Sequence, residues 1–423
     1  MTSRRVLITG LSTYWGGRLA QALEADPRFE AIIGVDRTPP KVELQRTEFV
    51  RVVDQHSLIR RIVEAAEVDT VVDTRLVVDS IVTAPRLAHE NNVIGTMNIL
   101  AACAGSDSPV RKVVFKSSAH FYGAQQDDPA YFTEDMDRPH PPRIPLERDI
   151  VEAEAAVRDF AERQPDATVT VLRYANGLGP ALRTSHTTLF DRGLVPVLLG
   201  FDPRYQFVHE DDIAGCLEHA VRNDLDGVYN CAADGVLVLS EVLDLLGKHA
   251  VPILPPLGTG LAAGALRRAG LHIPPEMLNQ LRFGRALDNR KLKATGYRYR
   301  YTTREAVVKL REHQRVAPLL PRSGEAYRYE EEVEEFLRYS PSVRPLERNA
   351  GRRLVNVPAG QGGAAPAQGS QVTAYADLGD EEVVALLPSL DGGDLRELRD
   401  HERSNAGRSG VLEAIDRILD GKG

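Results

Sequence analysis

Two rhythms of apolar and polar positions alternate over the first 175 residues. Short apolar runs at RRVLITG (4–10), EAIIGVD (30–36), EFVRVV (48–53), DTVVDT (69–74), RKVVFKSS (111–118) and ATVTVLR (167–173) read as strands. Several carry Val or Ile on consecutive positions, as expected where both faces of a sheet are covered. Between them, GRLAQALEA, HSLIRRIVEAA and NVIGTMNILAACA repeat apolar residues at helical spacing. This alternation predicts an α/β fold, a Rossmann-type doubly wound parallel sheet with right-handed crossovers.

From about 176 to 315 the pattern loosens. Short strands (VPVL, GVYNCA) mix with helices (DDIAGCLEHAVRN, SEVLDLLGKH, PEMLNQLRFG), which predicts a smaller substrate lobe woven into the main body, residues 1–315 together. The Pro-, Gly- and Leu-rich stretch Pro252–Pro275 is too interrupted to span a bilayer and reads as core helix. Within residues 316–374, GEAYRYEEEVEEFLR (324–338) predicts an acidic helix, and the Gly/Ala/Pro/Gln-rich stretch 350–372 reads as a flexible linker. In 375–423, GDEEVVALLPSL, DGGDLRELRDHERS and GRSGVLEAIDRILDG predict a small all-helical module of three helices, with Asp391 an N-cap.

Composition narrows the classes. The chain has 423 residues and a formal charge of −8, which argues against a nucleic-acid partner. Cys103, Cys216 and Cys231 suggest neither a disulfide framework nor a metal site. No apolar run is long enough for a membrane span, and MTSRRVLITG enters a strand pattern without a signal-peptide core, so a cytoplasmic, reducing location is expected.

The first strand runs into TGLSTYWGGRLAQAL (9–23). A strand, a glycine turn and a helix start form a cradle in which backbone N–H groups meet a pyrophosphate at the helix's positive end. Gly10 permits the turn and Gly16 the close packing, while Thr13 stands where a middle glycine is expected; Tyr14 and Trp15 open the helix. Asp36 closes the second strand 26 residues after Gly10, where a carboxylate accepts from ribose hydroxyls and favours NAD. Arg37 beside it leaves NADP open.

Several motifs then coincide in order: TGLSTYWGG (9–17), NVIGTMNILAAC (92–103), VVFKSSAHFYG (113–123), VLRYANGLGP (171–180), FVHEDDIA (207–214), GVYNCAA (227–233) and DNRKLKATGYRY (288–299). Over about residues 4–315 the chain resembles the extended short-chain dehydrogenase/reductases, and more closely their NAD-dependent epimerase/dehydratase group, which acts on nucleotide sugars. The resemblance implies NAD as cofactor and a homodimer built through two core helices. It places Gly10, Gly16 and Asp36 on the cofactor, with Asp73, Thr74, Arg75, Asn92 and Ser117 beside it. Ser118 matches the active-site serine that bonds the reacting sugar group. Arg173 and Asn176 match the segment beside nicotinamide and substrate, and His209 with Asp212 matches the motif that closes the substrate lobe.

The family's proton transfer uses a tyrosine and a lysine four residues later, on one helix face. In PRIPLERDIVEAEAAV (142–157), registering Glu154 on the family's glutamate puts Leu146 and Ile150 at those positions. Glu147 and Asp149 lie about 100° around the helix from that face. Asp73-Thr74-Arg75-Leu76 also departs from the usual His-Leu-Ala-Ala. His120, two residues past Ser118, is the one replacement acid–base candidate, placed on Ser118's face by strand alternation, with Asp73 or Glu154 as partner. Three readings follow. The favoured one is a dinucleotide-binding member with a degenerate site and a ligand-binding or regulatory role. The others are a working nucleotide-sugar enzyme with a substituted base, and an interaction protein acting through a protein partner of its C-terminal module.

Overall fold

The computed structural model describes residues 3–52, 56–81, 83–105, 107–253, 274–316, 399, 403 and 409–420. The chain separates into two compact units, Met1–Arg344 and Pro345–Gly423.

In the first unit, β1 (Arg5–Thr9), α1 (Tyr14–Glu24), β2 (Ala31–Asp36), β3 (Glu48–Arg51), α2 (His56–Ala65) and β4 (Thr70–Asp73) open the fold. Then come α3 (Pro85–His89), a π-helical turn (Glu90–Ile94), α4 (Gly95–Cys103), β5 (Lys112–Ser118), α5 (Pro145–Arg163) and β6 (Thr168–Tyr174). β7 (Asn176–Leu178), α6 (Ser185–Phe190), β8 (Leu194–Leu198), β9 (Arg204–Tyr205), β10 (Phe207–His209), α7 (Glu210–Arg222) and β11 (Gly227–Cys231) follow. The seven-stranded sheet has the order β11-β6-β5-β4-β1-β2-β3, and all its pairs are parallel. The six strands expected before residue 175 are all present, each within a residue or two of its predicted bounds. GVYNCA, expected in the substrate lobe, is instead β11, the seventh strand of the main sheet, bonded to β6 from Gly227↔Thr170 to Cys231↔Tyr174. Five residues carry no mark of which distant strand they will pair with.

Alternation along β5 sends Val113 and Phe115 into one core with Ile59, Ile99 and Ile150, and Val114 into the other with Leu19 and Leu217. Helices α2, α4 and α5 therefore cover one face, and α1 and α7 the other. A third core gathers Leu178, Phe190, Tyr205, Phe207, Val242 and Leu310 into the smaller lobe. The helix predicted over 92–104 starts earlier, at Pro85, and widens into the π-turn around Asn92.

In the second unit, Ser409–Asp420 is helical, as the third tail segment predicts, with Val411 and Ile415 fully buried. Arg399 and Arg403 both reach Asp416, at 3.4 and 3.8 Å. The first tail helix, the second apart from Arg399 and Arg403, Asp391, the acidic helix, the linker and nearly all of Pro252–Pro275 lie outside the described residues.

Candidate functional site

The strand order reverses between β1 and β4, and in open α/β sheets the crevice beyond such a switch point is where ligands bind. A cleft of about 270 Å³ opens there, with Ser12, Thr13, Asp36, Arg37, Arg75 and Asn91 in its walls. Gly10 makes the turn with φ +80°, and a Cβ on it would lie 2.6 Å from Arg75 Cγ and 2.8 Å from Thr74 Oγ1. A Cβ on Gly16 would meet Gly10 O at 2.2 Å, so both glycines are required by space. Thr13 is the N-cap of α1: its hydroxyl accepts from Gly16 N (3.0 Å) and donates to Gly10 O (2.7 Å). The residue that departs from the expected glycine thus takes up one amide of the helix's first turn, that of Gly16.

Asp36 faces the same cleft. Its carboxylate accepts from Ser12 N (2.9 Å), Ser12 Oγ (2.7 Å) and Arg37 N (2.6 Å), which fixes its position at the strand end. Asp73 accepts from Thr9 Oγ1 (2.8 Å) and pairs with Arg75 at 3.0 and 3.1 Å, and Thr74 Oγ1 donates to Thr9 O (2.9 Å). Arg75 therefore lays its Cγ over the glycine turn and its guanidinium against Gly95. Asn92 is wholly buried and clamps the post-β4 segment, accepting from Val77 N (2.7 Å) and donating to Val77 O (2.8 Å); it is a structural clamp rather than a wall of the cleft. Trp15 stacks edge-on with Tyr14 and meets the buried Lys116, whose Nζ is 5.1 Å from its ring centre; burial pushes that ammonium down to about 8. Sequence reasoning passed over Lys116, because a lysine inside VVFKSS looks like a solvated strand position.

At the other end, Leu146 and Ile150 are 5% and 0% exposed and belong to the core between α5 and the sheet. Glu147 is buried too, bonded to Arg138, and Asp149 bonds His89 at 2.8 Å. Ser117 donates to Glu154, and Arg173 closes on Glu154 with contacts of 2.7–3.1 Å while lying 3.5 Å over the Phe121 ring. Ser117, Glu154 and Arg173 thus form one buried network on the α5 side, bordering a separate cavity of about 220 Å³.

Ser118 faces away from that network, into a cavity of about 50 Å³ shared with His120, Asn176, His186 and Gln280. The expected pairing of Arg173 with Asn176 at one site does not occur, because Arg173 projects from β6 toward α5 and Asn176 follows the strand's end. His120 shares the cavity with Ser118, but not by strand alternation. β5 stops at Ser118, residues 119–121 form a 3₁₀ turn, and Ser118 Oγ accepts from His120 N at 3.2 Å. Neither proposed partner reaches it, since Asp73 holds Arg75 and Glu154 holds Arg173. Burial, with Arg285 and His186 nearby, holds the His120 imidazole well below its usual range. His186, which no motif marks, enters from α6 and is buried beside it. His209 lies elsewhere: it caps α7 by accepting from Asp211 N (3.3 Å) and packs 4.2 Å from the Tyr301 ring. Asp212 accepts from the amides of Arg300 (2.8 Å) and Tyr301 (3.1 Å), tying the 297–301 segment to α7.

Comparison with known proteins places these features in a family context. The sequence model described as "NAD dependent epimerase/dehydratase family" matches residues 6–232. An uncharacterized protein of Mycobacterium tuberculosis is 36% identical over 313 residues, 71% of this chain and 81% of the relative. One from Sinorhizobium fredii is 27% identical over 331 residues, 72% and 77% of the two chains. Among solved structures, the chain is similar to UDP-glucose 4-epimerase of Thermotoga maritima with UDP-glucose (TM-score 0.57, 19% identity, 74% of this chain and 99% of that one). It is also similar to dTDP-glucose 4,6-dehydratase of Bacillus anthracis in complex with NAD (TM-score 0.55, 17% identity, 74% and 97%).

Proposed function

From membership of the NAD-dependent epimerase/dehydratase family, to which this chain belongs, we propose that the protein binds NAD and a nucleotide-sugar-like ligand but lacks the proton-transfer pair of ordinary family turnover. Its role is then ligand binding or regulation. The observation that carries this reading is the contrast between the two ends of the sheet's edge. At the β1/β4 crevice, the Gly10 turn, the positive end of α1, the Asp36 carboxylate and the guanidinium of Arg75 fit the adenosine and pyrophosphate of a dinucleotide. Asp36 favours the free ribose of NAD, and Arg37 leaves room for NADP. Bound NAD supplies hydride-accepting chemistry. At α5, Leu146 and Ile150 can neither take a hydroxyl proton nor lower the pKa of a neighbour, and both are committed to the core. A positioned acid–base group is worth about 10²–10⁴-fold in rate.

A homodimer is part of the reading. Leu87, Ile94 and Met97, 48–55% exposed along the α3–α4 segment, offer it an apolar face. The alternative, turnover with His120 as base, draws on its place beside Ser118, but an imidazole held well below its usual range by burial, with no carboxylate partner among the described residues, is a weak base.

Full-length protein, denatured and examined by mass spectrometry, should release NAD or NADP, or else show a thermal shift with one of them. It should turn over no UDP-, dTDP- or GDP-sugar at a rate above 10⁻² of an ordinary family enzyme, a margin set by the lost acid–base contribution of about 10²–10⁴. Absence of both nucleotide release and thermal shift overturns the binding half. Turnover abolished by His120→Ala overturns the non-catalytic half in favour of the alternative.

A further inference from the structure

The segment that leads from the end of β5 to α5 brings Asp127, Asp128 and His140 together. Each offers one donor atom, and the three atoms lie within 4.8 Å of one another. His140 Nε2 and Asp127 Oδ1 are 3.0 Å apart. Imidazole and carboxylate donors sit about 2.0–2.2 Å from a zinc-like ion, and therefore about 3–4 Å from each other. A small rotation of these side chains brings all three onto one ion.

One atom of the cluster points to a cation independently. Asp128 Oδ2 accepts from Gln125 N at 2.6 Å, but Oδ1 is buried with no partner among the described residues. A carboxylate oxygen that has left water without gaining a donor or a cation is costly and rare. The arginines nearby serve other acceptors. Arg285 donates to Gly123 O (2.9 Å), and Arg138 to Glu147 and the carbonyls of His120, Phe121 and His140. A second group of similar donors, His89, Asp149 and Glu152, lacks this feature. There His89 Nδ1 and Asp149 Oδ1 pair at 2.8 Å, and no side-chain oxygen of the group is buried and unmet.

The backbone holds the donors in place. Asp128 and His140 each precede a proline, Pro129 and Pro141, which narrows their backbone to extended conformations. Pro139 restricts the approach to His140 from the other side. Arg138 Nε donates to His140 O at 2.6 Å, while Arg138 Nη1 holds the carbonyls of His120 and Phe121 at 2.9 and 3.0 Å. His140 is thereby tied to the turn that ends β5. Two carboxylates and a neutral imidazole also balance the charge of a divalent ion.

We propose that Asp127, Asp128 and His140 bind a divalent first-row transition metal ion, with water in its remaining positions, and that the ion clips residues 125–128 to residues 138–140. One nitrogen and two oxygen donors suit Zn²⁺ best and Mn²⁺ less well, and the imidazole disfavours Mg²⁺. The proposal does not depend on the reading of the nucleotide cleft.

The test is calorimetric titration of untagged full-length protein, freed of metal with EDTA and dialysed, with ZnCl₂, MnCl₂ and MgCl₂. One Zn²⁺ per chain should bind, about tenfold or more tighter than Mn²⁺, with Mg²⁺ weakest. Asp128→Asn and His140→Gln should each weaken Zn²⁺ by about 10–100-fold or more, a range that loss of even an outer partner reaches at such sites. His89→Gln should leave the affinity unchanged. Zn²⁺ should raise the melting temperature of the parent and have little effect on the two ligand variants. X-ray absorption at the zinc edge of the loaded parent needs no variant, and should show a single imidazole among oxygen neighbours. Failure to bind Zn²⁺ overturns the inference, the buried oxygen then being met by water. An unchanged affinity in both ligand variants overturns it, as does a loss in His89→Gln, which would place the ion at the other group. A zinc edge showing sulfur or more than one imidazole overturns it as well.

Discussion

Glu210 shows how a single residue here is set by its surroundings. It opens α7, its carboxylate accepts from Ala181 N at 2.9 Å, and it is 7% exposed. Burial, the dominant effect, pushes its carboxyl up to about 7. A raised carboxyl pKa means that the folded chain binds a proton which the unfolded chain has released, between its ordinary value near 4.5 and about 7. Stability from this residue therefore falls as pH rises through that window, and the penalty is complete above it. Glutamine keeps the acceptor and removes the charge, so Glu210→Gln should raise the melting temperature at pH 8 and leave it nearly unchanged at pH 4.5. An equal shift at both pH values would contradict the assignment. Residues of this kind divide by how much of their environment is local. Asp36 and Gly10 could be read from spacing because a turn, a helix start and a strand end fix them within about 30 residues. His186 could not, because its cavity is assembled from β5, α6 and the helix at 275–280, brought together only by the fold.

At the scale of elements, α5 carries the most informative departure. Its face toward the sheet, where the family resemblance expects a tyrosine and a lysine, is a continuous apolar stripe of Leu146, Ile150, Ala153, Val157 and Phe160. The register of Glu154 on the family's glutamate places this segment on a helix and shows the loss of the pair. That the vacated positions are core, and not the wall of an empty site, was not legible, since apolar residues line ligand pockets as well as cores. The two cases differ in energy. A buried isoleucine truncated to alanine in a packed core costs about 2–5 kcal/mol, and truncated to valine about 0.5–1.5. Ile150→Ala should therefore lower the unfolding free energy by about 2–5 kcal/mol in urea titrations, with Ile150→Val between it and the parent. A near-neutral Ile150→Ala would mean that this face borders open space. The strands were legible for a related reason. β5 is buried along its whole length, and its apolar run Val113–Phe115 faces both cores, with Lys112, Lys116, Ser117 and Ser118 buried beside it. β11 was legible as a strand, but its place in the main sheet was not, because pairing at the sheet's far edge is decided over more than 50 residues of separation.

At the scale of the whole molecule, the two ends of the sheet's edge make different offers to a dinucleotide, and that difference can be measured. The polar and charged groups that fit a nucleotide, Asp36, Ser12, Arg37 and Arg75, cluster at the β1/β4 crevice. The α5 face presents hydrocarbon, and Ser117 is already held by Glu154. Most of the binding free energy should then come from the adenosine diphosphate half, and little from nicotinamide or its oxidation state. A ligand that binds only the folded chain stabilises it by about 2.7 kcal/mol at 100 times its dissociation constant, which for a body of this size is a rise in melting temperature on the order of 5 °C. NAD⁺, NADH and ADP-ribose, each at the same concentration, should produce rises that agree within about 2 °C, because their dissociation constants should differ by less than about tenfold, or 1.4 kcal/mol. All the cleft's lining residues precede Arg344, so a chain ending there should show the same series. A much larger rise with NADH or NAD⁺ than with ADP-ribose would mean that the nicotinamide end is gripped after all, by groups other than the apolar face of α5.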